Sequence, residues 1–391
     1  MPFTGDFMPS PLEGLKVLEI ARVLAGPWIG QTLADLGAEV IKIESPDGDD
    51  TRKWGPPWIE HEDGSRTAAY YYSCNRGKKS VILDFKTEDG REAIRRLVQN
   101  SDILIENFKV GGLAKYGLDY DSLKKINPKL IYCSVTGFGQ DGPYAKRPGY
   151  DLMIQAMGGI MDLTGEPDGA PQKTGMAYAD MFTGLYGVIA IQAALAQRDK
   201  TGLGQHIDMA LLDCQIGVMG NQAMNYLTTG ISPTRMGTAH PNIVPYQDFP
   251  ASDGSLIIAC GNDRQFEKIC DLLGVDFHTD KRFGKNVDRV IHREALISLM
   301  NAETIKHSRD FLLRGLEKCG VPAGPINTMG QALEDDQVKH RQMVIDTGVA
   351  PGIRTPISFS DADLALDTPA PRHGADTQAV LTDIGMGKSG T

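Results

Sequence analysis

The chain of 391 residues has few of the features that mark specialised protein classes. Its six cysteines are scattered, with no C-x-x-C pair and no histidine at zinc-finger spacing, so we expect reduced thiols and no metal site. No run of 18 apolar residues occurs, which argues against a membrane-spanning segment. The N-terminus has neither the basic region nor the apolar region of a secretory signal. Together these absences predict a cytoplasmic protein.

An excess of basic residues is also lacking, because 40 lysines and arginines face 50 aspartates and glutamates. The formal charge of -10 argues against a nucleic-acid-binding protein, whose affinity rests on a broad basic surface. A pocket for an anionic ligand needs only a local group of cations, so an acidic chain remains compatible with one.

Common catalytic signatures are absent as well. Neither the G-x-S-x-G of α/β-hydrolases nor the H-E-x-x-H of zinc peptidases occurs. The sequence contains G-x-G-x-x-G once, in GFGQDG at 137–142, directly after an apolar run. A dinucleotide site requires a helix to open over these glycines, and Pro143 and Pro148 interrupt that segment. The sequence therefore argues against a nicotinamide cofactor.

The first third of the sequence alternates short apolar runs with helix-like segments, which is typical of a parallel sheet with crossover helices. Pro27 is predicted at the first position of the first helix. A further strand, in which Ile207, Met209 and Leu211 alternate, follows a segment rich in Gly, Ala and Met. The pattern predicts a doubly wound, Rossmann-like α/β domain with strands at 16–20, 39–44, 80–85, 102–107 and 130–135.

A polar stretch with two prolines at 228–242 indicates a linker or a domain boundary. A second α/β region follows it, with a strand at 254–260 and helices near 264–273, 292–306 and 308–318. The sequence from about 340 onward is rich in proline and predicts only short strands.

Basic residues cluster with glycine, amide and aromatic residues at 75–80 and 106–117. Asn107 and Phe108 fall at the carboxyl end of a predicted strand, where open α/β sheets bind ligands. These groups suit an elongated, phosphate-bearing ligand with a flat ring. The alternative, that the lysines and arginines are solvated surface charge, remains open at this point.

Asp180 is the only charged residue between Lys173 and Arg198. Aspartate is a favoured helix N-cap, and a helix from Met181 onward makes capping the simplest interpretation. That helix is apolar on nearly all sides, so its N-terminus should be buried, with the helix dipole holding the carboxylate ionised. A nucleophile would have these properties, and both interpretations remain possible.

Six blocks of the sequence resemble the class III CoA-transferases, the family of formyl-CoA transferase, carnitine CoA-transferase and the methylacyl-CoA racemases. The resemblance rests on LEGLKVLEIARVLAGPWIGQTLADLGAEVIKIE, NRGKKSVILDFK, ENF, GFGQDGPYAKRPGYD, ADMFTGLYG and KTGLGQHIDMALLD. It implies an interlocked homodimer that acts on an acyl-CoA and a carboxylic acid without a tightly bound cofactor. It also implies a large CoA-binding domain of residues 1–228 completed by 340–391, with a linker and a small domain at 229–339.

The resemblance implies that Asp180 is the nucleophile. The coenzyme A site that it implies comprises Val23, Leu24, Ala25, Lys78, Asn107, Phe108, Lys115 and Leu211. Where some relatives have an arginine after the second strand, this chain has Ser45. We expect the lost contact to be absent or supplied by Arg52 or Arg76.

Tyr150 and Asp151 replace the GHD-like motif of the racemase branch, whose histidine transfers protons. Because a phenol titrates near pH 10, the replacement favours a transferase over the alternative of a 2-methylacyl-CoA racemase. A non-catalytic CoA-binding subunit would have no reason to retain Asp180. Tyr150 and Asp151 are predicted to flank Asp180 in the substrate pocket, with a structural hydrogen-bonding role as the alternative for Asp151.

The second half resembles the branch that moves CoA from succinyl-CoA to glutarate or 3-hydroxymethylglutarate, in GTAHPNIVPYQDF, GNDRQF and GVPAGPIN. A dicarboxylate requires a cation or a donor for its distal carboxylate. The first of these blocks and the residues just before it offer the candidates Arg235, His240, Asn242 and Tyr246. The alternative is that this stretch only packs the linker onto a domain.

Overall fold

The computed structural model describes residues 8–387. Residues 1–7, on which the expectation of no secretory signal partly rests, lie outside the described residues. Residues 388–391, at the end of the predicted large domain, also lie outside them.

Thirteen strands occur in the described chain: β1 Lys16–Glu19, β2 Glu39–Glu44, β3 Trp58–Glu60, β4 Arg66–Ala68, β5 Lys78–Ile82, β6 Ile103–Glu106, β7 Ile131–Thr136, β8 His206–Ala210, β9 Tyr246–Ala251, β10 Gly254–Ala259, β11 Ala323–Pro325, β12 Val344–Asp346 and β13 Pro351–Ile353.

Helices of the first half are α1 Ala25–Asp35, α2 Ala69–Tyr72, α3 Glu88–Gln99, α4 Tyr120–Leu123, α5 Asp151–Met157, α6 Ile160–Leu163 and α7 Tyr178–Thr201. Those of the second half are α8 Leu211–Gly217, α9 Gly220–Thr229, α10 Asp263–Leu273, α11 Asn286–Ile291, α12 Arg293–Thr304, α13 Arg309–Cys319, α14 Met329–Leu333, α15 Asp336–His340 and α16 Thr377–Asp383.

Six strands form one parallel sheet in the order β5-β2-β1-β6-β7-β8. Taken in chain order within the sheet, this is the 3-2-1-4-5-6 arrangement of doubly wound folds. Both faces of the sheet are apolar, because side chains alternate along each strand: Ile103 and Ile105 join one core cluster, and Leu104 joins the other. The predicted α/β fold with a parallel central sheet is confirmed.

Helix α7 packs against α1 on one face of this sheet through small residues. A Cβ atom at Gly187 would lie 2.4 Å from Ile29 Cδ1, and one at Gly184 would lie 2.9 Å from Trp28 Cδ1. Glycine at both positions therefore permits the close approach of the two helices. By length and composition, α7 is the one helix of the described chain apolar enough to be a candidate membrane span. One side of it, with Val188, is buried in the core.

Several predicted boundaries are wrong by one to three residues. Pro27 is the third residue of α1, which begins at Ala25 without a side-chain cap. Strand β5 begins at Lys78, two residues before the predicted start. Leu211, predicted in a strand, opens α8. No helix opens over the glycines of 137–142, since the next helix after β7 begins at Asp151.

The chain divides into two compact units. The first comprises Met1–Gly159, Thr174–Thr228 and Asp336–Thr391 and contains the parallel sheet. The second comprises Ile160–Lys173 and Thr229–Asp335. Within the second unit an antiparallel sheet, ordered β11-β10-β9, is covered by helices whose side chains form one core with Phe249, Leu256 and Phe266.

Candidate active site

A cavity of about 450 Å³ opens at the carboxyl ends of the parallel strands, in the first unit. It lies where the strand order reverses between β1 and β6, which is the usual ligand site of this architecture. Its wall comprises the turn after β1, the turn after β6, the end of β7 and the first residues of α8. Chain segments far apart in sequence meet here because parallel strands end at the same edge.

Nine of the residues predicted to bind coenzyme A or substrate or to act in catalysis lie on this wall: Val23, Leu24, Ala25, Asn107, Phe108, Lys115, Tyr150, Asp180 and Leu211. Lys78 does not line the cavity. His240 and Tyr246 belong to the second unit.

Asp180 lies in the first turn of α7 and does not cap it. The helix begins at Tyr178, and its N-cap Ala177 offers no side-chain hydrogen bond. The predicted capping role is therefore wrong, because the helix starts three residues earlier than expected. Asp180 is instead the only acidic residue among the residues that line the cavity.

Asp151 supplies the missing cap from a different helix. Its Oδ1 accepts hydrogen bonds from the backbone N–H groups of Ala179 (2.8 Å) and Asp180 (3.3 Å). Gln155, which is fully buried, donates to the other carboxylate oxygen at 2.7 Å. Asp151 thus fixes both the start of α7 and the backbone that carries Asp180, which is the hydrogen-bonding role considered for it.

Burial, and after it the negative charge of Asp151, raises the pKa of Asp180 to about 7. The expectation that this carboxylate stays ionised is corrected, since burial and the charge of Asp151 both disfavour the ionised form. Near neutral pH the group is divided between its two protonation states. A desolvated carboxylate that still ionises is a stronger nucleophile than one in water.

The turn after β1 is strained and braced. Val23 has φ of 74°, a left-handed conformation that is unfavourable for a β-branched residue. The side chain of Asn107 binds both backbone groups of Arg22, the residue before Val23. Arg22 N–H donates to Asn107 Oδ1 (3.0 Å), and Asn107 Nδ2 donates to Arg22 O (2.6 Å). The N–H of Val23 donates to the carboxylate of Asp49, with 3.3 Å to each oxygen. Asn107 therefore shapes the cavity by holding backbone.

Lys78 is part of a buried ionic cluster whose members do not line the cavity. Its Nζ contacts Glu19 Oε2 (2.8 Å), the carbonyl of Pro27 (2.8 Å) and Asn75 Oδ1 (3.0 Å). Lys42 bridges Glu19 and Asp49 at 2.9 and 3.0 Å. The structure thus gives Lys78 the role of anchoring α1 to the sheet, in place of the predicted contact with coenzyme A.

Neither Arg52 nor Arg76 replaces the cation lost at Ser45. Arg52 is buried against Glu44, with 2.6 Å from Nη2 to Oε1, and Arg76 is buried against Asp35 at 2.5 Å. Ser45 lines a second cavity of about 330 Å³. That cavity shares Arg22, Phe85, Lys86 and Phe108 with the first, so Arg22 and Lys86 are the cations present at both.

Sequence reasoning missed part of the cationic lining. Lys86 and Arg147 line the first cavity together with Lys109 and Lys115, and none of the four has an ion pair within residues 8–387. Phe85 stands edge-on to both Phe108 and Tyr116, with ring centroids 5.4 and 5.2 Å apart. Lys86 follows the carboxyl end of β5, so the strand-end rule that found Asn107 could also have found it.

In the second unit, the predicted substrate residues lie on the segment before β9 and at its start. The rings of His240 and Tyr246 are 5.2 Å apart, and Asn242 N–H donates to His240 Nδ1 at 3.1 Å. Arg235 is ion-paired with Asp162 at 2.9 Å. In the part of the chain that the structure describes, no group of three or more His, Cys, Asp or Glu side chains could hold a metal ion.

Residues 12–377 match the family model described as CoA-transferase family III. The chain belongs to this family. The predicted resemblance is confirmed, and the protein is a CoA-transferase that uses CoA thioesters.

A succinate–glutarate CoA-transferase of Agrobacterium fabrum is 52% identical to this CoA-transferase over 96% of both chains. A human succinyl-CoA:glutarate CoA-transferase is 39% identical over 96% of this chain and 86% of the human one. A crystal structure of a CAIB/BAIF family protein from Brucella suis is 62% identical and superimposes with a TM-score of 0.87, covering 96% of this chain and 100% of that chain. Over 96% of its length the chain is thus similar in sequence to these proteins, and over the same share it has the fold of the Brucella protein.

Proposed function

We propose that this CoA-transferase moves CoA from succinyl-CoA to glutarate, with Asp180 as the covalent carrier. The observation that carries the proposal is the composition of the cavity wall, where Asp180 is the single acidic residue among several cations that form no ion pair with residues 8–387. The names of the Agrobacterium and human relatives support the choice of substrates.

The cationic part of the cavity suits the phosphates of coenzyme A. Lys86, Lys109, Lys115 and Arg147 supply positive charge without competing carboxylates in ion-pairing distance within the described chain. The aromatic group formed by Phe85, Phe108 and Tyr116 adds flat surface for the adenine ring. Val23, Leu24, Ala25 and Leu211 contribute backbone and apolar contacts for the pantetheine chain.

In the first half of the reaction, the Asp180 carboxylate attacks the thioester carbonyl of succinyl-CoA. The carbon–sulfur bond breaks, CoA leaves as thiolate, and a succinyl-aspartyl anhydride remains. The thiolate then attacks the aspartyl carbonyl, which releases succinate and leaves an aspartyl-CoA thioester. No proton is transferred in these steps, so their rate depends on ionised nucleophiles.

In the second half, a carboxylate of glutarate attacks the aspartyl thioester and expels the thiolate again. The thiolate attacks the glutaryl carbonyl of the new anhydride, which gives glutaryl-CoA and restores the Asp180 carboxylate. Each attack places negative charge on a carbonyl oxygen. The backbone N–H groups at the start of α1, where no side chain caps the helix, are the candidate hydrogen-bond donors to this oxyanion.

The proposal extends to the assembly of the protein as an interlocked homodimer. Helices α5, α7, α8 and α9 of the first unit carry a band of exposed apolar side chains: Leu152, Met153, Met157, Leu185, Tyr186, Ile189, Ile216, Met224, Tyr226 and Leu227. A band of this extent is typical of a surface that a partner covers. We place residues 1–228 with 340–391 in the CoA-binding domain and 229–339 in the linker and small domain, bounds that differ from the two compact units only at 160–173 and 336–339. We further propose a cytoplasmic enzyme without a tightly bound cofactor.

A panel of acids tests the substrate assignment. The purified protein is incubated with succinyl-CoA and, separately, with glutarate, 3-hydroxymethylglutarate, mesaconate, citramalate, oxalate and carnitine, and the CoA esters are resolved by mass. Glutaryl-CoA should form at the highest rate. If no acid yields a new ester, the proposed reaction is wrong, and if only carnitine reacts, the dicarboxylate assignment is wrong.

A further inference from the structure

The backbone of turn 21–23, between β1 and α1, is held by side chains from four other places in the chain: Lys42, Asp49, Cys74 and Asn107. Each carbonyl group of the turn accepts a hydrogen bond from one of them. The N–H groups of residues 22 and 23 donate to two of them. Because the four side chains come from separate segments, the turn has little freedom to change its φ and ψ angles.

Asp49 is bound to the residue of this turn whose backbone is strained. Val23 has φ of 74°, and its N–H lies 3.3 Å from each oxygen of the Asp49 carboxylate. Strain of this kind persists only where the surrounding contacts compensate for it. Asp49 is itself buried and fixed, because Lys42 Nζ lies 3.0 Å from its Oδ2 and Thr51 donates twice to its Oδ1. The carboxylate can therefore hold Val23 in the left-handed conformation.

The conformation of Val23 sets the point at which α1 begins and the direction of its first N–H groups. The N–H groups of Leu24, Ala25 and Gly26 have no acceptor within residues 8–387, although all three residues are buried. Leu24 and Ala25 line the same cavity as Asp180. Buried N–H groups without acceptors are unfavourable in the free protein and are satisfied when a ligand oxygen accepts them.

Helix packing brings Asp180 to the start of α1. Gly184 follows Asp180 by four residues, so the two lie on one face of α7, about one turn apart. A Cβ atom at Gly184 would lie 3.3 Å from the carbonyl oxygen of Ala25. The face of α7 that carries Asp180 therefore packs against the first turn of α1. A carbonyl that Asp180 attacks forms its oxyanion beside these N–H groups.

We propose that Asp49 is a positioning residue for the transferase reaction, because it holds Val23 in the conformation that directs the N–H groups of Leu24 and Ala25 toward the oxyanion. The inference rests on the proposed function. Asp49 does not line the cavity that contains Asp180, so it affects the reacting atoms through the turn. Donors to an oxyanion act in the transition state, and their displacement lowers kcat more than it raises KM.

A double-mutant cycle of Asp49→Ala and Val23→Gly tests the inference. Glycine adopts a positive φ without strain, so a chain with glycine at position 23 does not need Asp49 to hold the turn. In the wild-type background, Asp49→Ala should lower kcat for succinyl-CoA and glutarate by about 10- to 100-fold. In the Val23→Gly background the same change should lower kcat about tenfold less. Each loss is measured against its own background, so the effect of Val23→Gly itself cancels.

Asp49 also forms a buried ion pair, and Asp35→Asn is the control for the loss of one. The carboxylate of Asp35 binds Arg76 and Thr355 and no group of the turn. Asp35→Asn should lower the free energy of unfolding, measured by urea titration, and leave kcat within about twofold of the wild type.

Asp49→Asn serves if Asp49→Ala does not fold. Its amide oxygen still accepts the N–H of Val23 but is a weaker acceptor than a carboxylate. The loss of kcat should be smaller than in Asp49→Ala, and Val23→Gly should again relieve it. An equal loss of kcat in both backgrounds would overturn the inference, and so would a rise of KM with kcat unchanged.

The wild-type enzyme separates this inference from the proposed function. If the wild type makes glutaryl-CoA and the cycle shows no coupling between positions 23 and 49, the inference is wrong and the proposed function stands. If the wild type transfers CoA to no acid, the proposed function is wrong and the inference is wrong with it.

Discussion

At the scale of single residues, the chemistry depends on two carboxylates that belong to different helices. Asp180 faces the cavity, and Asp151 holds the N-terminal turn of α7 with its Oδ1. Asp151 has opposite effects on its neighbour. It fixes the position of the nucleophile, and its charge makes ionisation of the nucleophile less favourable.

The pH dependence of the reaction follows from the raised pKa of Asp180, which is about 7. The ionised form is the nucleophile, so kcat/KM for succinyl-CoA should rise about tenfold per pH unit below pH 7 and level off above it. Asp151→Asn retains an oxygen that can accept the α7 N–H groups but removes the charge. Its acid limb should move to lower pH, as measured by initial rates between pH 5 and 9.

An acid limb that stays in place in Asp151→Asn would show that burial alone sets the ionisation of Asp180. Gln155→Glu is unsuitable as a control, because it would place a new negative charge directly beside Asp151. Asp162→Asn is a better control, because it removes a carboxylate from the second unit. Its pH–rate profile should be the same as that of the wild type.

Sequence reasoning placed Asp180 at the site through the family resemblance, but the residues alone favoured a helix cap. The sequence does not reveal that Asp151, 29 positions earlier, occupies that capping position. A cap is normally sought next to the helix it serves, and this one comes from another element. Lys78 was likewise predicted to contact the ligand. Its ion-pair partner Glu19 lies on a different strand, so the sequence does not reveal the pair.

At the scale of elements, the alternation of apolar runs predicted the parallel sheet, because strands buried on both faces read as continuous apolar segments. Boundaries were less predictable. Leu211 continues the alternation of β8 by sequence but opens α8 in the structure, where it meets the cavity. The strained conformation of Val23 has no sequence signal, because Asp49, which accepts from Val23, and Asn107, which holds the backbone of Arg22, come from turns after other strands.

The brace of the turn after β1 gives a prediction for Asn107. Asn107→Ala removes both hydrogen bonds to the backbone of Arg22 and leaves Val23 less restrained. The KM for succinyl-CoA should rise, and the free energy of unfolding should fall by about 1–3 kcal/mol. Urea titration and initial-rate kinetics measure the two effects.

Lys115→Ala is the matched variant, since it removes a residue of the same cavity without a role in the turn. It should raise KM and leave the free energy of unfolding within about 0.5 kcal/mol of the wild type. If Asn107→Ala is as stable as Lys115→Ala, Asn107 does not brace the turn.

At the scale of the whole molecule, the apolar band on α5, α7, α8 and α9 predicts that the protein is dimeric. Light scattering during size exclusion should give twice the chain mass of 42.5 kDa. Ile189 is 60% exposed on α7, so Ile189→Asp should weaken the dimer and increase the monomer fraction on dilution. Leu203→Asp, at an exposed position after the end of α7, provides the control. A monomeric wild type at micromolar concentration would contradict the prediction.

The central claim is that Asp180 carries CoA through a covalent thioester, and peptide mass mapping tests it most directly. The enzyme is mixed with succinyl-CoA, quenched in acid and digested, and the peptide containing Asp180 is examined before and after treatment with hydroxylamine. CoA should be attached to Asp180 and be removed by hydroxylamine, and Asp180→Asn should show neither the adduct nor transfer activity. Turnover by Asp180→Ala at a rate near that of the wild type, or an adduct on another residue, would contradict the claim.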